Sequence, residues 1–367
     1  MSSTSQTMPK HGDAILIVGA GVFGLSHAYE LSKRGYSNIT VLDRMLPPVP
    51  DGSSVDVSRV IRFDYADPFY AALAKEAMKE WQSDIWKAHY HNTGFVLASE
   101  SKDPHIELCK DVLREHNQPF TSFENERELR ARFSHFKDGM QKSSGYVNPY
   151  GGWADAAGAI RDLAKICSER GVSFVTGRRG TVTSLMIDGT QVRGVKTAAG
   201  SIESKHVILS TGAWTNNIVN ASSATSASEQ PVAFMQLTED EAITLKDMTV
   251  LINMSSGVFV FPPTPGTNLL KVARHSNGFE NEVKGGASGG SISSPNVLSN
   301  NAASSSIPDD ADTALREGLR YILPHIAEKP WVRRRLCWYS DTAEGNFIVG
   351  PYPGFNGLFL ACGGAGQ

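Results

Sequence analysis

The sequence predicts an α/β chain in two parts: a parallel-sheet unit assembled from separated segments, and a sheet-rich, antiparallel part inserted between them. Three observations carry this. A strand, a glycine-rich turn, a helix and a second strand ending in an acid run from Ala14 to Asp43. A strand-to-glycine passage recurs at His206–Trp214, and Pro231–Arg274 is mostly strand-like.

In the first segment, Ala14–Val18 is a short apolar run of the kind buried on both faces of a parallel sheet. Gly19, Gly21 and Gly24 follow in GxGxxG spacing with Val22 and Phe23 between them. The first glycine allows a tight turn, the second lets the backbone approach a pyrophosphate, and the third permits close helix–strand packing. Phosphates would then lie at a helix N-terminus, where N–H groups and the dipole favour negative charge. Leu25, Ala28, Tyr29 and Leu31 give that helix its apolar stripe, and Lys33-Arg34-Gly35 closes it. Ile39–Asp43 is the second strand, and Asp43 is placed to accept from a ribose 2′-hydroxyl and to repel a 2′-phosphate. This is a Rossmann-like βαβ unit. Both NAD and FAD satisfy it. The late strand ending in Ser210-Thr211-Gly212, with Trp214 beyond, resembles the second fingerprint of flavoproteins of the glutathione reductase type.

Between these landmarks, Asp67–His89 reads as one long helix with Phe69, Tyr70, Trp81 and Trp86 as aromatic anchors, and Ile106–Arg132 as charged helix. A helix over Ala154–Arg170 leads into a strand at Val172–Thr176, and strands near Val182–Leu185 and Val192–Val195 form a hairpin. The stretch 283–307, rich in Gly, Ser and Asn, reads as a mobile loop, and Asp309–Leu323 as a helix. The expected division is a nucleotide domain from 12–66, 145–222 and 335–367, a substrate domain from 67–144 and 223–334, and a flexible 1–11.

The chain has 367 residues, 41% of them hydrophobic and 20% charged, with a net charge of -3. That balance gives no electrostatic reason to seek nucleic acid or an anionic membrane. Cys109, Cys167, Cys337 and Cys362 are scattered, which argues against structural zinc and a secreted disulfide framework. Met1–His11 lacks the apolar run of a signal peptide, and no stretch reaches the ~20 apolar residues of a membrane span. An intracellular protein, cytoplasmic or peroxisomal, is the expectation.

Four further segments carry a family likeness. Ser53–Arg62 looks like a serine-rich loop followed by a two-arginine helix start, and Gly152–Ala156 is similar to a segment of the fungal amadoriases. Leu269–His275 matches a strand carrying an oxygen-activating lysine; Arg335–Thr342 matches an element whose cysteine bonds to the flavin C8α methyl. The chain thus resembles the FAD-dependent amine oxidases of the sarcosine oxidase, fructosyl amino-acid oxidase (amadoriase) and saccharopine oxidase family, fungal branch. The resemblance implies an FAD-binding domain of the glutathione reductase type with an inserted antiparallel-sheet substrate domain. It implies FAD joined to Cys337, with Gly19, Gly21, Val22, Phe23, Gly24, Asp43, Arg44, Ser54, Asp56, Ser58, Val182, Gly212 and Trp214 completing the cofactor set. Lys271 and Arg59 would act beside the flavin, and Arg62 would take the substrate carboxylate through its bidentate fork. Read as a helix, the stretch puts Arg59 and Arg62 on one face; read as a strand, it would put them on opposite faces.

The implied reaction oxidises the secondary amine C–N bond of an N-substituted amino acid, sarcosine-, pipecolate-, saccharopine- or fructosyl-amino-acid-like, or a secondary-metabolite N-methyl amino acid. Its partners would be that small amine and O₂, the product hydrogen peroxide, and the protein a monomer with no metal. A nicotinamide-dependent dehydrogenase would share the first βαβ unit but leave Cys337 unexplained. A poorly active flavoprotein also stays open: Ala361–Gln367 resembles the strand and glycine turn before the family's last helix. On that likeness residues 1–367 stop short of a Gly-Phe-Lys segment, and weak flavin retention with little turnover is the expectation.

Overall fold

The computed structural model describes residues 8–295 and 306–366. The chain begins as expected with β1 (Ile15–Val18), α1 (Val22–Lys33) and β2 (Ile39–Leu42). Arg59–Ile61 then forms β3, a strand where the start of a helix was expected. Its backbone pairs with Gly152–Ala154, and local sequence gives no sign of that distant partner.

Next comes α2 (Pro68–Trp81), capped by Asp67, whose side chain accepts from the Phe69 N–H. This helix is shorter than expected. Residues 82–89 coil through turns, with Trp86 N–H bonded to Ser83 and His89 N–H to Trp86, and Trp86 packs on the nucleotide-side core. Phe69, expected as an anchor, is 68% exposed. After β4 (Tyr90–His91) and β5 (Phe95–Ser99), the expected continuous helix is broken into α3 (Pro104–Glu115), β6 (Thr121–Phe123) and α4 (Glu126–Arg132). Asn117 takes a positive φ of 54° just past α3, and Pro119 blocks any continuation.

The chain continues through β7 (Ser144–Asn148), β8 (Gly152–Ala154), α5 (Ala156–Glu169) and β9 (Ser173–Val175). The hairpin expected near 182–195 is β10 (Val182–Asp188) and β11 (Gln191–Thr197), with β12 (Gly200–Glu203) added. Then come β13 (His206–Leu209), α6 (Thr215–Ile218), β14 (Ser226–Gln236), α7 (Glu239–Leu245), β15 (Val250–Asn253), β16 (Val258–Val260) and β17 (Leu269–Arg274). Helix α7 interrupts the expected run of strands because Thr238 and Glu241 form a capping box. Part of the expected loop at 283–307 is a hairpin, β18 (Glu282–Lys284) with β19 (Ser291–Ser293); residues 296–305 lie outside those described. Last are α8 (Asp309–Ile322), β20 (Trp331–Asp341), β21 (Ile348–Pro351) and β22 (Leu358–Cys362).

Among the described residues the strands form two main sheets. The first has the order β21-β22-β13-β1-β2-β9, parallel except for β21 at its edge. Residues of α1 and α5, including Leu25, Ala28, Ile160 and Leu163, fill one of its faces; the other packs on Val192 and Val195 of the three-stranded β10–β12 sheet. A fully buried leucine such as Leu25 contributes roughly 1.5–3 kcal/mol. The second sheet has the order β20-β14-β17-β16-β15-β5-β7-β6. One of its faces packs Ala233, Met235, Leu270 and Val272 on α7 and α8. The expected boundaries at 145 and 335 cut through β7 and β20, both strands of this second sheet. Among the described residues no helix is long and apolar enough to cross a membrane.

Candidate active site

The turn after β1 is built as its glycines require. Gly19 has φ of +106°, and a Cβ there would run into the Ser210 carbonyl. One on Gly24 would overlap the Gly19 carbonyl, and one on Gly21 would stand 3.0 Å from Ser54 Oγ. Gly21 occupies the cap position of α1 and brings no side chain, so the helix N-terminus stays open to an anion. Ser54 Oγ accepts from the Val22 N–H at 2.9 Å, which ties the serine-rich loop to the turn. Asp43 accepts from the Ala20 N–H at 2.7 Å and the Arg44 N–H at 2.6 Å. Burial raises its pKa against those two bonds, and each oxygen keeps capacity to accept from a hydroxyl. Arg44 forks onto Asp51 through two 2.7 Å bonds and lies 4.8 Å over the Trp214 ring.

Two buried polar atoms beside this turn, Ser210 Oγ and Trp214 Nε1, and Ser58 Oγ of the 53–59 segment have no hydrogen-bond partner among the described residues. Such groups are costly without a partner, and a bound dinucleotide offers acceptors for them. Together with the open helix end they fit FAD. Phe23 packs edge-on against Phe347, Gly212 opens the short 3₁₀ turn after β13, and half-buried Val182 starts β10.

The second half of the site is the other face of the larger sheet. In the β14 ladders, Phe234 stands opposite Lys271 on β17, Val232 opposite both Ala273 and Arg335, and Gln230 opposite Cys337 on β20. Pleat parity therefore puts Lys271, Arg335 and Cys337 on one face, away from α8. The 53–59 segment covers that face. Lys271 Nζ lies 2.6 Å from Asp56 Oδ2 and donates to the Ser58 carbonyl at 2.7 Å. Arg335 reaches the same Asp56 oxygen at 3.0 Å and the Val55 carbonyl at 2.8 Å.

Arg59 donates to the Ser53 carbonyl at 2.6 Å. Burial opposes its charge, but the neighbouring Cys337, Asp56 and Tyr339 outweigh burial and hold its pKa above the ordinary value. The Asp56 carboxylate is directed at Lys271, Arg335 and the Val57 N–H. Burial works against its ionisation, and the Lys271, Arg335 and Arg59 charges overcome that and hold it well below the usual carboxylate range.

Arg62 follows the end of β3. Strand geometry would send it to the face opposite Arg59, yet the fields of both guanidiniums reach Tyr339. Burial pushes the Tyr339 phenol up to about 12 against those two charges. Arg62 stacks over Tyr65 at 4.6 Å and donates to the Asp64 carbonyl at 2.5 Å. The Asp64 carboxylate is fully buried and accepts from Asn148 Nδ2 at 2.9 and 3.1 Å. His275, just past β17, lies 5.6 Å from the Tyr339 ring. Sequence reasoning did not single out Asp51, Asp64, His275, Arg335 or Tyr339 as site residues. Two of these were within its reach: Arg335 and Tyr339 flank Cys337 at two-residue spacing on a strand, and so share its face.

The match to known proteins decides between the two cofactors that the fingerprint allows. Residues 14–367 match the family described as FAD dependent oxidoreductase (DAO). The chain belongs to that family. This FAD dependent oxidoreductase is 30% identical to the L-saccharopine oxidase of Schizosaccharomyces pombe, over 96% of this chain and 86% of that one. It is 24% identical to a monomeric sarcosine oxidase from a Bacillus species, over 98% and 89%. Among solved structures, the fructosamine oxidase Amadoriase II of Aspergillus fumigatus superposes with a TM-score of 0.85 at 28% identity, covering 98% of this chain and 82% of that one. The fructosyl peptide oxidase of E. terrenum gives 0.88 at 26%, covering 98% and 86%. The FAD dependent oxidoreductase is thus an enzyme, and the nicotinamide alternative falls away.

Proposed function

We propose that the enzyme oxidises the secondary amine C–N bond of an N-substituted amino acid and passes the electrons to O₂, releasing hydrogen peroxide, with FAD joined covalently to Cys337. The observation that carries this reading is the single sheet face bearing Lys271, Arg335 and Cys337 under the Ser53–Arg59 segment. The names of the S. pombe and Bacillus relatives and of the superposed oxidases support the substrate class.

FAD, when bound, supplies a two-electron acceptor for a hydride from the substrate carbon. The chain's own groups do the rest. Arg62, stacked on Tyr65, presents a planar fork to the substrate carboxylate and fixes which end of the amine enters. His275 and Tyr339 sit within reach of the Arg62 field. Lys271 offers a fixed positive charge where O₂ gathers negative charge, a contribution of the electrostatic kind. Two electrons and two protons leave the amine and end on O₂, and water hydrolyses the resulting imine. Cys337 would hold the flavin through its Sγ; forming that thioether would remove two electrons and two protons, for which O₂ would be the acceptor.

The test offers purified holoenzyme sarcosine, pipecolate, saccharopine, fructosyl amino acids and N-methyl amino acids. Anaerobic bleaching of the flavin absorbance and aerobic peroxide are both recorded. At least one should bleach the flavin and yield one peroxide per amine oxidised. Bleaching by none of them, from fully loaded enzyme, overturns the reading.

A further inference from the structure

Building on the oxygen role just proposed for Lys271, we propose that Asp56 is a positioning residue for that role: one buried carboxylate oxygen holds the Lys271 ammonium in place and ties it to Arg335 on the strand of Cys337. The arrangement is a buried ion-pair cluster. Asp56 is 6% exposed and Lys271 2%, and their 2.6 Å contact is shared with Arg335 at 3.0 Å. The loop's own backbone finishes the arrangement: the Ser58 carbonyl takes Lys271, the Val55 carbonyl takes Arg335, and the Val57 N–H takes the other Asp56 oxygen. The Asp56 carbonyl accepts from the Ala157 N–H at 3.1 Å, fastening the loop beside α5. One acidic side chain thus joins a nucleotide-side loop to β17 and β20.

The electrostatics show why a carboxylate stands here. Lys271 faces Asp56 on the loop, Arg59 on β3 and Arg335 on β20, with exposed Arg333 further along its own ladder row and the Phe261 ring 4.6 Å beneath it. Burial is the largest influence on Lys271 and favours the neutral amine; Arg59 and Arg335 push the same way. Asp56 alone among these groups favours the cation, and the balance leaves the pKa at about 8. Without Asp56 the remaining influences all lower the lysine's pKa, and less of it would carry the charge it offers O₂. Lys271 itself touches the reacting oxygen in this reading; Asp56 acts through it.

The experiment reduces loaded enzyme with dithionite, mixes it with O₂ across pH 6–10, and compares wild type, Asp56→Asn, Asp56→Glu and Lys271→Met. The wild-type rate should fall as pH rises through about 8. Asp56→Asn should move that inflection to a pH lower by about one or more, and slow the reaction at pH 7.5. The expected slowing is about tenfold or more once the inflection lies well below that pH, because the cation population above a pKa drops about tenfold for each pH step. Asp56→Glu should restore most of both. Lys271→Met should be slow at every pH, and adding Asp56→Asn to it should change the rate no further.

If Lys271→Met oxidises like wild type, the oxygen role of Lys271 fails. If it is slow but Asp56→Asn keeps the wild-type rate and inflection, the inference about Asp56 fails alone. Thermal unfolding of flavin-free protein covers a variant too unstable to load. The loss of stability from Asp56→Asn should shrink when Lys271 is already Met; equal loss in both backgrounds shows that Asp56 acts independently of Lys271 and overturns the inference.

Discussion

Gly24 lies so close beneath Gly19 that a single methyl group on it would overlap the Gly19 carbonyl oxygen. The turn and the first helix therefore cannot both keep their places once a side chain is added. Gly24→Ala should cost roughly 1–3 kcal/mol of overpacking and lower flavin occupancy, read from the visible absorbance of purified protein. Gly12→Ala meets nothing within 4 Å and serves as the control. Full flavin in Gly24→Ala would separate the turn from cofactor binding.

Cys337 is buried on β20 with Arg59 pressed against it. Acid precipitation of the wild-type holoenzyme should leave yellow flavin with the polypeptide. In Cys337→Ser the flavin should move to the supernatant. Flavin released from loaded wild type shows a cofactor held without a covalent bond.

Arg62 should govern affinity more than turnover. Replacing it with Met removes charged hydrogen bonds worth about 1.5–3 kcal/mol, which corresponds to a roughly 10- to 200-fold rise in KM for a carboxylate-bearing amine. An amine lacking the carboxylate should lose nothing by the change, and kcat should move little. A collapse of kcat at unchanged KM would place Arg62 in the chemistry instead.

Glu229 supplies a pH signature distant in role from catalysis. Burial pushes its carboxyl up to about 7 from the ordinary 4.5. Between those two values the folded protein binds the proton that the unfolded chain has released, so this group's contribution to stability is full below 4.5 and is lost as pH rises toward 7. Glu229→Gln should flatten that slope. At pH 8 it should raise stability on the order of 1 kcal/mol, reduced by the group's partial contact with water, or roughly 1–2 °C in Tm. Differential scanning calorimetry at pH 5 and 8 makes the comparison, and a variant less stable than wild type at pH 8 contradicts it.

The nucleotide turn was legible in the sequence because glycine spacing is a local code, although only Gly24 meets an atom of its own strand–turn–helix unit; Gly19 meets Ser210 and Gly21 meets Ser54. Cys337 and Lys271 were singled out through resemblance, and the two-residue period of a strand puts each on a definite face. Arg59 was misread as helical because β3 exists only through its pairing with β8, far along the chain. The ion pairs of Asp56 were not legible for a related reason. A buried acid and a surface acid are identical letters, and what distinguishes them is the lysine and arginine that tertiary folding brings to it. Asp51 and Asp64 escaped notice in the same way, their partners Arg44 and Asn148 being visible only in space. The long helix expected over 67–89 failed where Trp86 found a better burial site off the helix axis.

The order of strands in the parallel sheet also has a temporal meaning. β13 lies between β1 and β22, so strands from residues 15–18 and 358–362 are separated by the width of a single neighbour. On the ribosome, β1, β2, β9 and β13 emerge long before β22, and β14, β15, β16, β17 and β20 of the larger sheet are made between β13 and β22. Contacts of such sequence separation form slowly and leave strand edges open meanwhile. The pyrophosphate turn is thus among the first parts of this enzyme to be synthesised, while the sheet that carries it is among the last to be completed.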